Sequence, residues 1–253
     1  EPHRDGLYVL HTADRPDGDL AWAPIDATGP QAWVPLLSSE PGQRFTGVDA
    51  FDRALVLGLR HDGVPALALL PTVTDRAIAP DEVRIVDLGD PLASTSASDT
   101  PDAASPVVRV VHESWVGPRS VHDVDLTTGG STLLRRQPVR GDWDPERYVA
   151  TREWVTAEDG AQVPLSVIRR RDVEPDGTAP GLLTGYGSYE ISSDPYFSVA
   201  RLSLLDRGVV FAIAHVRGGG EMGRAWYEQG RLNAKPTTFS DFVACGRHLV
   251  DAG

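Results

Sequence analysis

The stretch GYGSYEISSDPYFS, residues 185–198, places three tyrosines, four serines and an aspartate in fourteen positions, following the short apolar run Gly181, Leu182, Leu183. A hydroxyl between two glycines just past a strand can stand at the carboxyl edge of a sheet, where α/β proteins place their chemistry. From there Tyr186 could donate a hydrogen bond to an oxyanion forming on a carbonyl under attack. Taken without context, a tyrosine in such a turn packs more often than it reacts.

The other reactive residue types form weaker patterns. Gly218, Gly220 and Gly223 in VVFAIAHVRGGGEMG fit G-x-G-x-x-G after a strand. The helix a dinucleotide site needs is interrupted by Gly230 and Pro236, and no acid closes a following strand. Three glycines that let the chain turn sharply, with Glu221 pairing Arg217 or a neighbouring segment, is the better reading. No serine stands in a G-x-S-x-G elbow, so Ser188 and Ser131 read as turn hydroxyls. His215 sits in an apolar strand and reads as a satisfied buried histidine. His112 and His122 lie in strand-like text and make no H-E-x-x-H spacing, so no metal ligands are assigned and no cofactor is expected.

These residues need elements to hold them, and the texture changes along the chain. Up to about residue 145, short runs such as LYVLHT, ALVLGLRHDG, PALALL, VVRVVHESW and VHDVDLTTGG alternate with Gly, Pro and Asp punctuation, as consecutive antiparallel strands do. A β-propeller and a β-sandwich both fit; SVHDVDLTTGGSTLLRR, strand, polar turn and strand, favours blades. DPLASTSASDTPDAASP reads as a polar loop. Beyond residue 150 the text predicts a hairpin turning at Asp159-Gly160, a buried strand into GYG, a helix over FSVARLSLLD ended by Gly208, and a central strand VVFAIAHV. An amphipathic helix over TTFSDFVACGRHLVDAG follows, with Phe239, Phe242, Val243, Leu249 and Val250 facing inward. Strand, helix, strand, loop, helix opens a parallel α/β sheet.

The 253 residues, 41% of them hydrophobic, suffice for one large or two smaller cores. A net charge of −12 disfavours nucleic acid as a partner, and no apolar run is long enough for a membrane-spanning helix. Cys245 is the single cysteine, which excludes an internal disulfide and is most simply accommodated in a reducing, cytoplasmic setting. The chain opens on Glu1 in the middle of a strand pattern, which is expected of a piece of a longer protein.

The order GYGSY, RLSLLDRG, HVRGGGE-G--WYE-G and TFSDF resembles the prolyl oligopeptidase family of serine peptidases, and its oligopeptidase B branch most. The resemblance is strong over residues 150–253 and implies that residues 1–148 are the last blades of a β-propeller and residues 149–253 the start of an α/β-hydrolase domain. It implies hydrolysis of short peptides after Arg or Lys through an acyl-enzyme. It also implies that the serine elbow, aspartate and histidine follow Gly253 in a remainder of the catalytic domain, so the isolated chain is expected to be inactive. By position, Tyr186 matches an oxyanion-hole tyrosine, Tyr189 an aromatic lining the substrate pocket, and Asp194 an acid that favours a basic residue upstream of the cleaved one. Two departures bear on that preference in opposite directions: Glu190, where relatives commonly have glycine, adds charge near the pocket, and Tyr196, where a second acid is often seen, removes it. A non-catalytic propeller-containing binding protein is one alternative. An esterase or dipeptidyl-type peptidase of the same architecture is another, although the paired glutamates expected of a dipeptidyl enzyme are not read in the first half.

Overall fold

The computed structural model describes residues 1–253 and divides into two compact units: Glu1–His112 with Ser120–Arg136, and Glu113–Arg119 with Gln137–Gly253. The first unit is three consecutive four-stranded sheets. The first contains β1 (Pro2–His3), β2 (Gly6–His11), β3 (Asp19–Pro24) and β4 (Val34–Ser38). The second contains β5 (Arg44–Ala50), β6 (Leu55–His61), β7 (Val64–Leu70) and β8 (Arg84–Ile85). The third contains β9 (Ser94–Ala97), β10 (Val107–Glu113), β11 (Ser120–Asp125) and β12 (Ser131–Arg136).

The near-continuous apolar text of β6 and β7 follows from burial on both faces. Side chains alternate along a strand. Leu55, Leu57, Leu59, Ala68 and Leu70 therefore join Tyr8, Leu20, Trp22 and Leu36 in one core. Val56, Leu67 and Leu69 join Val108, Val110, Val124 and Leu126 in another. A two-residue turn links the strands, with Asp62 and Gly63 both left-handed, as this hairpin type requires. At the far edge of the third sheet β12 is exposed throughout, and Arg135 and Arg136 discourage pairing with another chain.

The second unit holds β13 (Tyr148–Thr156), β14 (Gln162–Arg170), β15 (Gly181–Gly185), α1 (Val199–Leu205), β16 (Val210–Ala214), α2 (Arg224–Glu228) and α3 (Lys235–Asp251). The sheet order is β13-β14-β16-β15. The first two strands are the antiparallel hairpin turning at Asp159-Gly160, and β15 and β16 run parallel through α1. β16 is central, flanked by β14 and β15. No helix is long and apolar enough to cross a membrane.

Three expectations are corrected. The polar stretch 90–106 contains a strand, β9, because Ser98 N–H bonds the Arg109 carbonyl and Thr95 reaches His112, contacts that composition does not reveal. The buried stripe of α3 is Thr238, Asp241 and Cys245, whereas Phe239, Val243 and Val250 are exposed. Phe242 and Leu249 do pack against the core as expected, beside Ala244 and Cys245, while Thr238 and Asp241 turn inward through polar contacts to Arg217. Finally, segments 113–119 and 137–148 lie with the second unit, not the first. Trp115 is buried beneath the Arg201 guanidinium, Trp143 meets Phe197 edge-on, and the Tyr148 hydroxyl bonds Asp206 at 2.7 Å.

Candidate functional site

The carboxyl end of β15 releases the chain into residues 186–198, and the glycine cluster after β16 forms the seat on which this segment lies. A Cβ on Gly218 would stand 2.2 Å from the Gly187 carbonyl oxygen, and one on Gly220 2.4 Å from that of Glu190. Only glycine permits such backbone approach. Gly187 is itself left-handed (φ 64°), and a Cβ there would meet Thr238 and Val216 at 2.5 Å. Tyr189 and Glu190 follow at φ 55° and 59°. Two consecutive non-glycine residues in this region cost roughly 1–3 kcal/mol each and persist only where the surroundings over-determine them.

Those surroundings are specific. Lys235, opening α3, donates from Nζ to the Gly187 carbonyl (2.5 Å) and to Ser188 Oγ (2.7 Å). Burial lowers the pKa of its ammonium. Glu190 N–H donates to the Gly218 carbonyl at 3.2 Å, and the Glu190 carboxylate pairs with Arg224 at 2.9 Å. The negative charge that Glu190 brings is therefore matched by a cation. Thr238 Oγ1 donates to the Arg217 carbonyl at 2.6 Å, tying the seat to α3.

Arg217 is the hub beneath. Its guanidinium makes paired contacts with Asp241, Nε to Oδ2 at 2.9 Å and Nη2 to Oδ1 at 2.6 Å, and with Asp159 at 2.6 and 3.1 Å. Hydrogen bonding to Asp241, against the opposing effect of burial, raises the Arg217 pKa further above its ordinary value. Hydrogen bonding to Arg217 in turn holds the Asp159 carboxyl below the usual range. The partner of Glu221 is thus not Arg217. Glu221 Oε1 lies 3.5 Å from His215 Nδ1 and accepts the Ser193 N–H at 2.9 Å. Burial alone would raise the Glu221 pKa, but hydrogen bonding and charge from His215, with the Ser193 N–H, outweigh it and lower the value.

His215 Nε2 also lies 2.9 Å from Ser166 Oγ. Serine, histidine and carboxylate in that order imitate a hydrolytic triad, but all three side chains are buried and Ser166 stands mid-strand in β14, away from any turn that would lift it to a substrate. The group instead pairs Ser166 with His215 and, through Glu221, holds the backbone at Ser193. His215 is a packed histidine, as its strand context suggests.

The site residues expected from sequence are placed as follows. Tyr186 follows β15 directly and is 51% exposed. Tyr189 is exposed on the left-handed turn. Asp194 lines a cleft of about 290 Å³ together with Trp115, Thr184, Ser192, Tyr196 and Arg201. Tyr186 and Tyr189 stand outside that lining. Arg201 has no carboxylate against it. Its guanidinium lies 4.7–5.0 Å from the Tyr196, Trp115 and Phe211 rings and donates from Nη1 to the carbonyls of Tyr196 (2.9 Å) and Trp115 (3.3 Å). Burial lowers its pKa.

Sequence reading missed Lys235, Arg201 and Trp115. Arg201 carried a signal, an ionisable residue beside Leu202 and Leu205 on the inward face of α1. Trp115 carried none, since it reaches the site across 86 residues.

The model of the prolyl oligopeptidase family matches residues 195–253. Dipeptidyl aminopeptidase BI of Pseudoxanthomonas mexicana is 36% identical over 235 residues, 92% of this chain and 31% of that protein. Protease 2 of Moraxella lacunata is 36% identical over 170 residues, 67% of this chain and 25% of that one. Among solved structures, oligopeptidase B from Trypanosoma brucei with covalently bound antipain superposes with a TM-score of 0.87 at 31% identity, covering 98% of this chain and 36% of that one. The chain spans about a third of the length of these relatives. Motif order, relatives and fold converge, and the chain belongs to the prolyl oligopeptidase family.

Proposed function

We propose that the protein carrying this chain is a serine oligopeptidase that hydrolyses short peptides after Arg or Lys. In this reading the first unit supplies propeller blades and the second the opening portion of an α/β-hydrolase domain. Three consecutive four-stranded antiparallel sheets and the parallel β15-α1-β16 unit support it. The serine, with its histidine and aspartate, belongs to sequence outside these 253 residues. Its hydroxyl attacks the scissile carbonyl, the amine leaves with a proton from the histidine, and water then hydrolyses the acyl-enzyme. The unpartnered Cys245 agrees with a cytoplasmic setting.

The observation that carries the reading is the half-exposed Tyr186 at the carboxyl end of a strand, on a turn fixed by Lys235 and the glycine seat. The backbone that carries this donor is held in place, which limits the reorganisation needed when charge develops on the carbonyl oxygen. Loss of one such donor costs about 100- to 1000-fold in kcat. Tyr186→Phe in the whole protein, assayed on an Arg-containing fluorogenic peptide, is expected to show that loss with KM little changed; an unaltered kcat refutes the role. The 253-residue chain alone is expected to be inactive, and turnover blocked by a serine-directed inhibitor would overturn that. Asp194 in its cleft supports a basic preference, so Asp194→Asn is expected to raise KM more for Arg-Arg than for Gly-Arg substrates.

The likeness to Dipeptidyl aminopeptidase BI favours a second reading, removal of dipeptides from a free amino end. Substrates with blocked and free amino termini separate the two: an endopeptidase accepts the blocked form, an aminopeptidase does not.

A further inference from the structure

The β2–β3 hairpin of the first unit joins residues that sequence spacing keeps apart. His11 and Asp19 face each other across the ladder, and the loop between them brings Asp14 back over the pair. One donor atom from each of the three lies within 4.8 Å of the others. Asp19 is only 7% exposed, yet neither of its carboxylate oxygens has a hydrogen-bond partner, and neither does the buried Nδ1 of His11. Buried polar atoms are normally satisfied. Here three orphaned acceptors, or two and a ring nitrogen able to act as one, gather at a single hairpin. The cation paired with Asp19 is Arg15, whose Nε lies 3.4 Å from Oδ1 with a side chain 56% exposed, a pairing that water readily competes away.

We infer that His11, Asp14 and Asp19 form a site for a first-row divalent cation of the zinc or manganese type. One imidazole with two carboxylates suits such ions, whereas calcium and magnesium prefer oxygen donors alone. Donors about 2.0–2.2 Å from the metal lie no more than about 4.4 Å apart, so a small side-chain rotation closes the set. Two carboxylates balance a dication, and Asp19 can offer both oxygens. The scaffold is built for it: the His11 ring packs on Trp33 at 5.2 Å, and the loop is tied down by bonds from Phe45 N–H to the Asp17 carbonyl (2.8 Å) and from Ser39 N–H to the Gly18 carbonyl (3.0 Å). The site is independent of peptide hydrolysis, so its test leaves the proposed function untouched.

The test is calorimetric titration of the metal-free whole chain with Zn²⁺, Mn²⁺ and Ca²⁺. The expected result is one saturable Zn²⁺ or Mn²⁺ site, with Ca²⁺ at least ~10-fold weaker. Asp14→Ala and Asp19→Asn are each expected to weaken binding by ~10-fold or more, while His61→Ala, which alters an exposed histidine on another hairpin, leaves it unchanged. Should Asp19→Asn fail to fold, Asp14→Ala decides, since Asp14 is exposed. Absence of saturable binding, equal affinity for Ca²⁺, or full binding by Asp14→Ala overturns the assignment.

Discussion

Arg217 makes two-point contacts with two aspartates, and the two should differ sharply in what they contribute. Asp241 is 0% exposed and Asp159 has a side chain 57% exposed. Both Asp241 oxygens accept N–H groups of Arg217: Oδ2 from the backbone (3.1 Å) and Nε (2.9 Å), Oδ1 from Nη2 (2.6 Å). In Asp241→Asn, either orientation of the amide sets an N–H against a guanidinium or backbone N–H. It also leaves a buried cation with only the solvent-facing Asp159. Breaking a buried pair in this manner costs about 3–5 kcal/mol, a large part of the 5–15 kcal/mol that usually separates folded from unfolded. At about 1.4 kcal/mol per decade, β14 and β16 amides that open with this core should exchange ~100- to 3000-fold faster. Asp159→Asn, made in parallel, should leave that exchange close to wild type, because water screens and replaces the contact. Hydrogen exchange by mass spectrometry on both variants reads the difference. Equal effects, or less than a tenfold change for Asp241→Asn, would refute the view that burial, not contact geometry, sets the worth of each pair.

Gly218→Ala, with φ 98° and a Cβ 2.2 Å from the Gly187 carbonyl oxygen, is expected to lose at least about 3 kcal/mol or fail to fold. Gly177→Ala, also left-handed (φ 79°) but open to solvent, should cost only about 1–2 kcal/mol; denaturant midpoints distinguish them. Cys245 is fully buried, and burial pushes its thiol up to about 12, so a thiol reagent at pH 8 should label it only after denaturation; rapid labelling of the native chain would show the core of the second unit to be open. Burial, with the hydrogen bond to Asp206, raises Tyr148 to about 12. Since the unfolded phenol ionises near 10, the stability this group contributes is complete below pH 10 and lost as pH rises toward 12. An absorbance titration should show a late tyrosine step that Tyr148→Phe removes.

The amino-acid order by itself determined the local elements. Short apolar runs punctuated by Asp-Gly gave β6 and β7 and the β13–β14 hairpin, and the apolar run after Gly208 gave the central strand, because strand propensity and turn chemistry act over a few residues. The position of Tyr186 just past a strand end and between two glycines was legible for the same reason. What only the tertiary structure decided was partnership across long separations. Glu221 pairs with His215 and not Arg217, Asp241 turns a polar stripe of α3 inward, Lys235 clamps the tyrosine turn from 47 residues away, and Trp115 joins Arg201 across 86. His11 and Asp19 meet only because the β2–β3 register sets them opposite one another. Burial makes each of these contacts strong, and burial is a property of the assembled chain, which no local stretch of residues contains.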